Sequence, residues 1–283
     1  MPTTLSPLRY PGGKTKLYDK VVGILKNNGL EGTTYVEPFA GGAGLAIKLL
    51  LCGDVSKIII NDIDPAIYAF WHSVLYGHDE LCSRIEECKI TIEEREKQVQ
   101  VLKNANSLIL DVGFAALFLN RTNVSGILGA GPIGGKAQNG EHKLDARFNK
   151  TKIIKKIITI AAYKQKISLY NLDVIDFIDK VLPTYESAQL FLNFDPPYVK
   201  KGQKLYLNHF TMKDHVRLRD KVARCNHHWI VTYDYNDNIL GLYASFAYER
   251  IQLNHSAGIM KKGEELVIYS NTLQPQRVPT ISG

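Results

Sequence analysis

One apolar stretch, Leu190-Phe191-Leu192-Asn193-Phe194-Asp195-Pro196-Pro197-Tyr198, ends in a carboxylate, two prolines and an aromatic ring. The pattern predicts a buried strand that presents Asp195 at its carboxyl end. The prolines lack a backbone N–H and fix φ, so they end the strand and leave the carbonyls of Asp195 and Pro196 able to accept hydrogen bonds. Ligands of open α/β sheets bind beyond the carboxyl ends of the strands. The turn therefore suits a flat base with an exocyclic amino group, unless it is an ordinary Pro-Pro turn in which Asp195 caps a local group.

Length, charge and cysteine content restrict the class of protein. The 283 residues, 45% of them hydrophobic, suffice for one large domain or for a core domain with an insertion. The four cysteines show no metal-ligand spacing, the amino terminus has no basic region followed by an apolar stretch, and no apolar run approaches the roughly 20 residues that cross a bilayer. We therefore expect a reduced, cytoplasmic protein without a metal site or a membrane partner. A net charge of +7 favours a polyanionic partner.

Two glycine turns lie near the amino terminus. Residues 8–14 read Leu-Arg-Tyr-Pro-Gly-Gly-Lys, a turn that lets the backbone approach a ligand beside an aromatic ring and a lysine. Residues 34–36 predict a strand that runs into the loop at residues 37–44, Glu-Pro-Phe-Ala-Gly-Gly-Ala-Gly, and then into an apolar helix at residues 45–51. This order of strand, glycine turn and helix is typical of sites that bind a dinucleotide-like cofactor at a helix amino terminus.

An acidic residue follows the next predicted strand. Residues 57–61, Lys-Ile-Ile-Ile-Asn, precede Asp62, where a carboxylate can accept hydrogen bonds from ribose hydroxyls. Asp64 is the alternative, and either acid could instead cap the predicted helix at Pro65–Tyr76. The position at the strand end favours Asp62 as the ligand-binding acid.

The middle of the chain is rich in basic residues. Residues 79–106 predict a charged helical segment with one buried face, and an apolar helix at residues 108–119 follows. The glycine-rich residues 129–140 are typical of an exposed hairpin or a mobile loop. Residues 136–166 contain nine Lys or Arg against two acids, which suits phosphates, although a solvated helix face is the plainer interpretation. These basic residues are Lys136, Lys143, Arg147, Lys150, Lys152, Lys155, Lys156, Lys164 and Lys166.

Strands and helices alternate toward the carboxyl terminus. Residues 167–171 predict a strand, after which Asp173 either caps a helix or meets the adenine amino group of a cofactor, with Asp176 as the less well placed alternative. Because no linker or repeat divides the chain, we predict one α/β domain with a helical and hairpin insertion. The remaining predicted elements are a helix at residues 212–226 and strands at residues 229–232, 248–253 and 266–269.

Taken in this order, the motifs resemble those of Dam-type N6-adenine-specific DNA methyltransferases, which use S-adenosylmethionine. The resemblance extends from about residue 6 to residue 271. One departure is Ala43, which occupies the last position of the family's Phe-x-Gly-x-Gly pattern and leaves open which glycine lies closest to the methionine part of the cofactor. The recognition segment also lacks a close match to the members that read GATC. The matching segments are Tyr10, Gly12, Gly13 and Lys14, the loop at residues 37–44, Asp62, Leu-Asn-Arg at residues 119–121, and Asp-Pro-Pro-Tyr at residues 195–198.

The resemblance implies a Rossmann-like class I methyltransferase fold of the α/β class. Its sheet is mostly parallel with an antiparallel carboxyl-terminal strand, and it carries a helical or hairpin DNA-recognition insertion. Residues 1–75 and 166–283 would form the catalytic, S-adenosylmethionine-binding domain, and residues 76–165 the inserted target-recognition subdomain. The implied reaction is methyl transfer from S-adenosylmethionine to the N6 amino group of adenine in duplex DNA, by base flipping and direct in-line transfer.

Three sets of site residues follow from the resemblance and from the residue chemistry. The catalytic set is Asp195, Pro196, Pro197 and Tyr198. The cofactor-binding set is Tyr10, Gly13, Lys14, Glu37, Pro38, Phe39, Gly41, Gly42, Gly44, Asp62, Asp173 and Asp195. The DNA-binding set is Asn120, Arg121, Asn123, Ser125, Lys136, Arg147, Lys150, Lys152, Lys261 and Lys262.

Other functions make different demands on the turn at Asp195. A cytosine carbon methyltransferase needs a nucleophilic Cys, and none of the four cysteines follows a Pro at a strand end. Enzymes that methylate the cytosine amino group generally carry Ser at this position, and those acting on RNA or protein glutamine usually carry Asn. A non-enzymatic DNA-binding relic need not keep the turn intact. The expected partner is therefore double-stranded DNA, with a cognate restriction endonuclease as a functional partner that does not bind stably.

Overall fold

The computed structural model describes residues 5–10, 14–186, 188–197, 210–255 and 261–274. The strands in these residues are β1 (Thr34–Glu37), β2 (Lys57–Asn61), β3 (Ile167–Tyr170), β4 (Leu190–Phe194), β5 (His228–Asp234), β6 (Tyr248–His255) and β7 (Lys261–Tyr269). They form one sheet in the order β3-β2-β1-β4-β5-β7-β6. β4 pairs in parallel with β1 and β5, whereas β7 runs antiparallel to β5 and β6. The expected Rossmann-like sheet with an antiparallel carboxyl-terminal strand is confirmed.

Helices connect these strands, and side chains cap several of them. Asp64 accepts a hydrogen bond from the Ala66 N–H at 2.8 Å and so caps the helix that Pro65 begins. The helices in the described residues are α1 (Tyr18–Asn27), α2 (Gly44–Cys52), α3 (Pro65–Tyr76), α4 (His78–Glu87), α5 (Ile92–Lys103), α6 (Ile109–Thr122), α7 (Lys150–Ala161), α8 (Val174–Lys180), α9 (Met212–Val222) and α10 (Asp237–Leu242). None of the helices in these residues combines the length and apolar composition that spanning a bilayer requires.

Two predicted segments differ in detail from the structure. The charged residues 79–106 form two helices, because the backbone is extended at Cys88 and Thr91 caps a new helix by accepting the Glu94 N–H at 3.2 Å. The glycine-rich residues 129–140 form successive turns with one isolated bridge, between Asn123 and Pro132. Glycines with positive φ break the extended conformation that a regular hairpin needs.

β4 is the buried centre of the sheet. All five of its residues are buried, as expected for a strand covered on both faces. Asn193 is the polar member of β4. Its Nδ2 donates to Tyr35 Oη at 3.0 Å, and Tyr35 Oη donates to Glu37 Oε1 at 3.1 Å. This buried chain of hydrogen bonds connects β4 with β1 and orients the carboxylate at the end of β1.

The described residues cluster into two compact units. The first unit comprises the described residues among 1–15, 40–48 and 60–172, and the second comprises those among 16–39, 49–59 and 173–283. The predicted recognition subdomain, residues 76–165, falls inside the first unit together with α3 and β3. Its role in target recognition stays a prediction.

Close packing of α3 against α6 depends on Gly113. A Cβ at this position would lie 2.3 Å from Ser73 Oγ and 2.6 Å from the Ala69 carbonyl oxygen. Ser73 Oγ donates to that same carbonyl at 2.7 Å. An added Cβ would therefore clash with backbone and with a hydroxyl that is held by a hydrogen bond. The two helices can approach this closely only because residue 113 has no side chain.

We expect Gly113→Ala to lower the free energy of unfolding by roughly 1–3 kcal/mol, because overpacking separates the two helices. Gly241→Ala in α10 is the matched control, since no heavy atom lies within 4 Å of a Cβ there. The control should raise stability by up to about 1 kcal/mol through helix propensity. Urea denaturation of both variants measures the difference, and equal effects would contradict the packing argument.

Candidate functional site

In the first unit, Asp62 holds the glycine loop in place. Its Oδ2 accepts from the Gly41 N–H at 2.7 Å and its Oδ1 from the Asp64 N–H at 2.9 Å. Burial raises the pKa of Asp62 to about 6, although the two N–H groups oppose that rise. A carboxylate offers about four acceptor positions, so Asp62 can accept from ligand hydroxyls in addition to the two backbone donors. Because Asp64 caps α3, Asp62 is the better placed of the two acids for a ligand.

The glycine loop is shaped by the side chains that pack on it. Gly41 has a φ of 46°, and a Cβ there would lie 2.6 Å from Cε1 and Cζ of Tyr10. Trp71 Nε1 donates to the Gly41 carbonyl at 2.9 Å. At Gly42, a Cβ would lie 3.0 Å from Tyr10 Cβ. The structure therefore brings Tyr10, Gly41, Gly42 and Asp62 together.

Asn120 fixes the segment that carries Tyr10. Its Oδ1 accepts from the Arg9 N–H at 2.7 Å, and its Nδ2 donates to the carbonyls of Arg9 at 2.7 Å and Gly126 at 2.8 Å. The side chain is 1% exposed, so a direct DNA contact by Asn120 is not supported. Asn120 therefore fixes Arg9, the residue before Tyr10, through both its backbone N–H and its backbone carbonyl.

In the second unit, Asp195 lies directly after β4 and is held by Thr232. The parallel register pairs Phe194 with Val231, which brings the next residues of both strands beside each other. Thr232 Oγ1 donates to Asp195 Oδ1 at 2.9 Å and also lies 3.4 Å from the Phe194 carbonyl oxygen. Thr232 is fully buried, so water does not compete for this hydrogen bond. Pro196 is buried and Pro197 half-buried.

The ends of β1 and β4 lie at the same edge of the sheet. Val36 pairs with Leu192, so Glu37 lies at the level of Asn193, two residues before Asp195. Glu37 is only 6% exposed, which keeps a carboxylate in a poorly solvated position beside the turn. Pro38 and Phe39 follow Glu37 in the chain, and the Phe39 ring meets the Phe210 ring edge-on at 5.8 Å.

Other predicted cofactor residues have observed structural roles or fall outside the description. Asp173 Oδ1 accepts from the Ile175 N–H at 2.9 Å and caps α8, while Asp176 pairs with Lys180 at 3.1 Å. Lys14 is 6% exposed, and Gly44 begins α2. The cofactor residue Gly13 and the catalytic residue Tyr198 lie outside the described residues.

The predicted DNA-binding residues divide into buried and exposed sets. Asn123 is fully buried, where its Oδ1 accepts from Arg95 Nε at 2.8 Å. Lys150 Nζ donates to the carbonyls of Glu86 at 2.6 Å and Cys88 at 2.8 Å, which closes the carboxyl end of α4. Lys261 and Lys262 belong to β7, and their side chains lie outside the description. The exposed members are Ser125, Lys136, Arg147 and Lys152, and Arg121 is half-buried.

Comparison with known proteins identifies the family. The family model of D12 class N6 adenine-specific DNA methyltransferases matches residues 10–257. The chain belongs to this family. The match contains the glycine loop, Asp62, Thr232 and the turn at Asp195. The Dam-type resemblance is therefore confirmed. This protein, called the D12 methyltransferase below, is an adenine-specific DNA methyltransferase.

Individual relatives are more distant. The Type II methyltransferase M.MjaIII of Methanocaldococcus jannaschii is 26% identical over 221 residues, which cover 73% of this D12 methyltransferase and 73% of the relative. Among solved structures, the rRNA methyltransferase aviRa from Streptomyces viridochromogenes gives a TM-score of 0.45 at 14% identity, covering 93% of this chain and 87% of that one. The magnesium protoporphyrin IX methyltransferase ChlM from Synechocystis PCC 6803 gives 0.38 at 9% identity, covering 90% and 79%. At these TM-scores neither structure bears on substrate or mechanism.

Thr232 is a residue of the D12 methyltransferase site that the sequence does not reveal. It lies inside an apolar strand, where a threonine is common for its β-propensity alone. Only the pairing of β4 with β5, which sequence patterns do not specify, brings its hydroxyl to Asp195.

We expect Thr232→Val to slow methyl transfer roughly 10- to 100-fold, because a hydrogen bond to a charged group contributes about 1.5–3 kcal/mol. Thr232→Ser keeps the hydroxyl and should stay within a few-fold of wild type. Single-turnover transfer to unmethylated genomic DNA at saturating cofactor measures both rates. Cofactor affinity should not change in either variant, and equal rates for Val and Ser would show that the hydroxyl does not position Asp195.

Proposed function

We propose that this D12 methyltransferase transfers the methyl group of S-adenosylmethionine directly, in line, to N6 of an adenine that has left the duplex. The observation that carries the proposal is the Asp195 carboxylate at the end of β4, with one oxygen held by Thr232 at 2.9 Å and the Pro196 carbonyl next in the chain. Two acceptors at one rigid turn match the two N–H donors of an amino group.

The turn can make a weak nucleophile reactive. The lone pair of the adenine amino nitrogen is delocalised into the ring, and hydrogen bonds from N6 to Asp195 and Pro196 favour a tetrahedral nitrogen whose lone pair is localised. The Asp195 carboxylate has to be oriented before the base binds, and the hydrogen bond from the buried Thr232 hydroxyl orients it. A base stacked inside a duplex cannot reach such a turn, so the adenine has to flip out, and Tyr198 is the residue we expect to stack on it.

The residues around the glycine loop and β1 fit S-adenosylmethionine. Asp62 has acceptor capacity for ribose hydroxyls, and the poorly solvated Glu37 carboxylate suits the ammonium group of the methionine part. Asp173, or the alternative Asp176, would meet the adenine amino group of the cofactor. When bound, S-adenosylmethionine supplies a methyl group on a positively charged sulfur, which leaves as a thioether. No covalent bond to the protein is needed for this exchange.

Duplex DNA is the proposed substrate, with residues 76–165 as the target-recognition subdomain. The exposed residues Ser125, Lys136, Arg147 and Lys152 are the members of the predicted DNA-binding set whose side chains face solvent. A cognate restriction endonuclease would act on the same DNA sequence without binding to the methyltransferase. Tritium transfer to duplex DNA, RNA and protein, followed by sequencing with base-modification detection, tests substrate class and target base together.

Asp195→Ala is expected to abolish methyl transfer and to leave cofactor affinity within a few-fold, because the carboxylate is assigned to the target amino group. Calorimetric titration with S-adenosylhomocysteine and a tritium-transfer assay separate the two effects. Asp176→Ala, a change of the same charge on α8, should keep most transfer activity if Asp173 is the residue that meets the cofactor. Transfer that persists in Asp195→Ala refutes the proposed role.

Cofactor affinity should depend on the protonation of Asp62. Since burial raises its pKa to about 6, the carboxyl is ionised at pH 7.5 and becomes protonated below pH 6. Ribose hydroxyls donate best to the ionised form, so affinity should fall about ten-fold per pH unit below pH 6.

Two variants test this assignment of Asp62. Asp62→Asn should weaken binding at pH 7.5 by roughly 1 to 3 kcal/mol and remove most of the pH dependence. Asp64→Asn is the control, because Asn caps a helix as well as Asp does; affinity should stay pH-dependent, with the transition moved to lower pH because the Asp64 charge no longer raises the pKa of Asp62. Titration calorimetry between pH 5 and pH 8 measures both. An unchanged dissociation constant in Asp62→Asn means that Asp62 only holds the glycine loop.

A further inference from the structure

Five basic side chains converge beside the amino-terminal segment of the first unit. Arg121 of α6 donates to the carbonyl of Pro7, and its Nη1 lies 3.4 Å from the carbonyl oxygen of Arg147. Lys156 of α7 donates to the carbonyl of Ser6 at 3.1 Å. We call these residues the basic cluster: Arg9, Arg121, Arg147, Lys152 and Lys156.

Burial first, and like charges second, lower the pKa values of three residues in the basic cluster. Burial, followed by the charges of Arg121 and Lys152, lowers the pKa of Lys156 to about 8. Burial and the charge of Arg9 lower the pKa of Arg121 to about 10. Burial and Arg147 likewise lower the pKa of Arg9. Each of these groups therefore lies in a field that disfavours its own positive charge.

Carboxylates on neighbouring elements do not reverse this field. α3, which packs on α7, contains no acidic residue. On α4, which also packs on α7, Glu80 pairs with Arg84 at 2.8 Å, and Asp79 and Glu87 are exposed. Glu86 of α4 lines a groove with Lys155 on another part of the α7 surface. In the described residues, the buried Arg121 Nε has no hydrogen-bond partner. The cluster thus holds several donors and an excess of positive charge that a bound anion would balance.

The shape of the cluster matches a phosphate group. Arg121 and Lys156 are half-buried and form its floor, whereas Arg147 and Lys152 are exposed at its rim. Guanidinium and ammonium groups only donate hydrogen bonds, so they fit a ligand that presents acceptors alone. A base edge in the major groove presents mixed donors and acceptors, whereas phosphate oxygens are acceptors on every side.

We propose that the basic cluster binds a backbone phosphate of DNA, with Arg121 and Lys156 as its principal contacts. This inference rests on the proposed duplex-DNA substrate and adds a sequence-independent anchor to it. The anchor lies against the segment that also carries Tyr10 of the glycine loop. Lys152 joins the site as a phosphate contact, and Arg147 lies at its rim.

Binding of a phosphate at the cluster has a proton signature. A bound anion stabilises the charged form of Lys156 and returns its pKa toward the ordinary value. At pH 8 about half of the free protein carries a neutral Lys156, so DNA binding should take up about half a proton. At pH 6.5 Lys156 is already charged, and the uptake should be small.

The experiment is calorimetric titration of the full chain with a short unmethylated duplex at pH 8 and pH 6.5, in buffers of different ionisation enthalpy. Lys156→Met should weaken DNA binding about ten-fold, reduce the salt slope by about one and remove the proton uptake at pH 8. Lys156→Arg should keep the affinity and lose the uptake, because Arg does not titrate at this pH. Lys155→Met removes the same charge from the same helix and should leave uptake and affinity close to wild type.

Several outcomes would overturn the proposal. Equal affinities for Lys156→Met and Lys155→Met, or uptake that persists in Lys156→Met, refute a phosphate contact at the cluster. Inorganic phosphate that raises the melting temperature of wild type but not of Lys156→Met, with DNA affinity equal in both, would identify a site for a small anion instead. Thermal denaturation without ligand checks folding, and Lys156→Met should be at least as stable as wild type because a repelled charge is removed.

The result also separates this proposal from the proposed function. A wild-type protein that shows the proton uptake and binds duplex DNA but transfers no methyl group to it refutes the proposed function and leaves the phosphate site standing. Normal methyl transfer together with equal affinities for the Lys156 and Lys155 variants refutes the phosphate site alone.

Discussion

A strand that is covered on both faces has few places for polar side chains, and β4 has one, which bonds through its N–H donor while its Oδ1 stays buried without a hydrogen-bond partner in the described residues. Its one polar side chain, Asn193, donates to Tyr35, which donates in turn to Glu37. The first charged residue, Asp195, comes directly after the strand and is held by Thr232. The strand therefore ends just before Asp195, and the two prolines prevent strand pairing from continuing into the turn.

Polar side chains in this protein often organise backbone segments. Asn120 holds the segment before Tyr10, Asn123 accepts from Arg95, and Lys150 closes the end of α4. Asp62 does the same for the glycine loop while keeping acceptor capacity for a ligand. Because unpaired buried donors and acceptors are costly, breaking the buried contacts among these would be unfavourable, and they hold their backbone segments in place. A glycine-rich loop, which has little side-chain packing of its own, gains its shape in this way.

Charge is distributed differently around the two kinds of site. The carboxylates Glu37, Asp62 and Asp195 each lie near the carboxyl end of a strand and are oriented by hydroxyl or N–H donors. The basic cluster between α6, α7 and the amino-terminal segment has neighbours of its own sign. Carboxylates that are already satisfied position a ligand, whereas crowded cations gain stability when an anion arrives.

The sequence by itself determined the fold class, the order of the motifs and the identity of the acids at the strand ends. Apolar runs that stop at Asp62 and at Asp195 predict strands. This prediction needs only the local sequence, because it does not depend on which elements the strands pair with. The tertiary structure decided which polar side chains face a ligand and which face the interior. Asn120 and Asn123 follow the apolar run at residues 108–119 in a segment that resembles a recognition loop, yet Asn120 lies in α6, Asn123 lies at its end, and packing buries both. Thr232 bonds to Asp195, and Lys156 lies within the electrostatic field of Arg121, because the fold brings residues far apart in the chain close together. Sequence periodicity reports which face of an element is buried, but the partner that covers this face depends on strand register and helix packing, and only the folded chain fixes those.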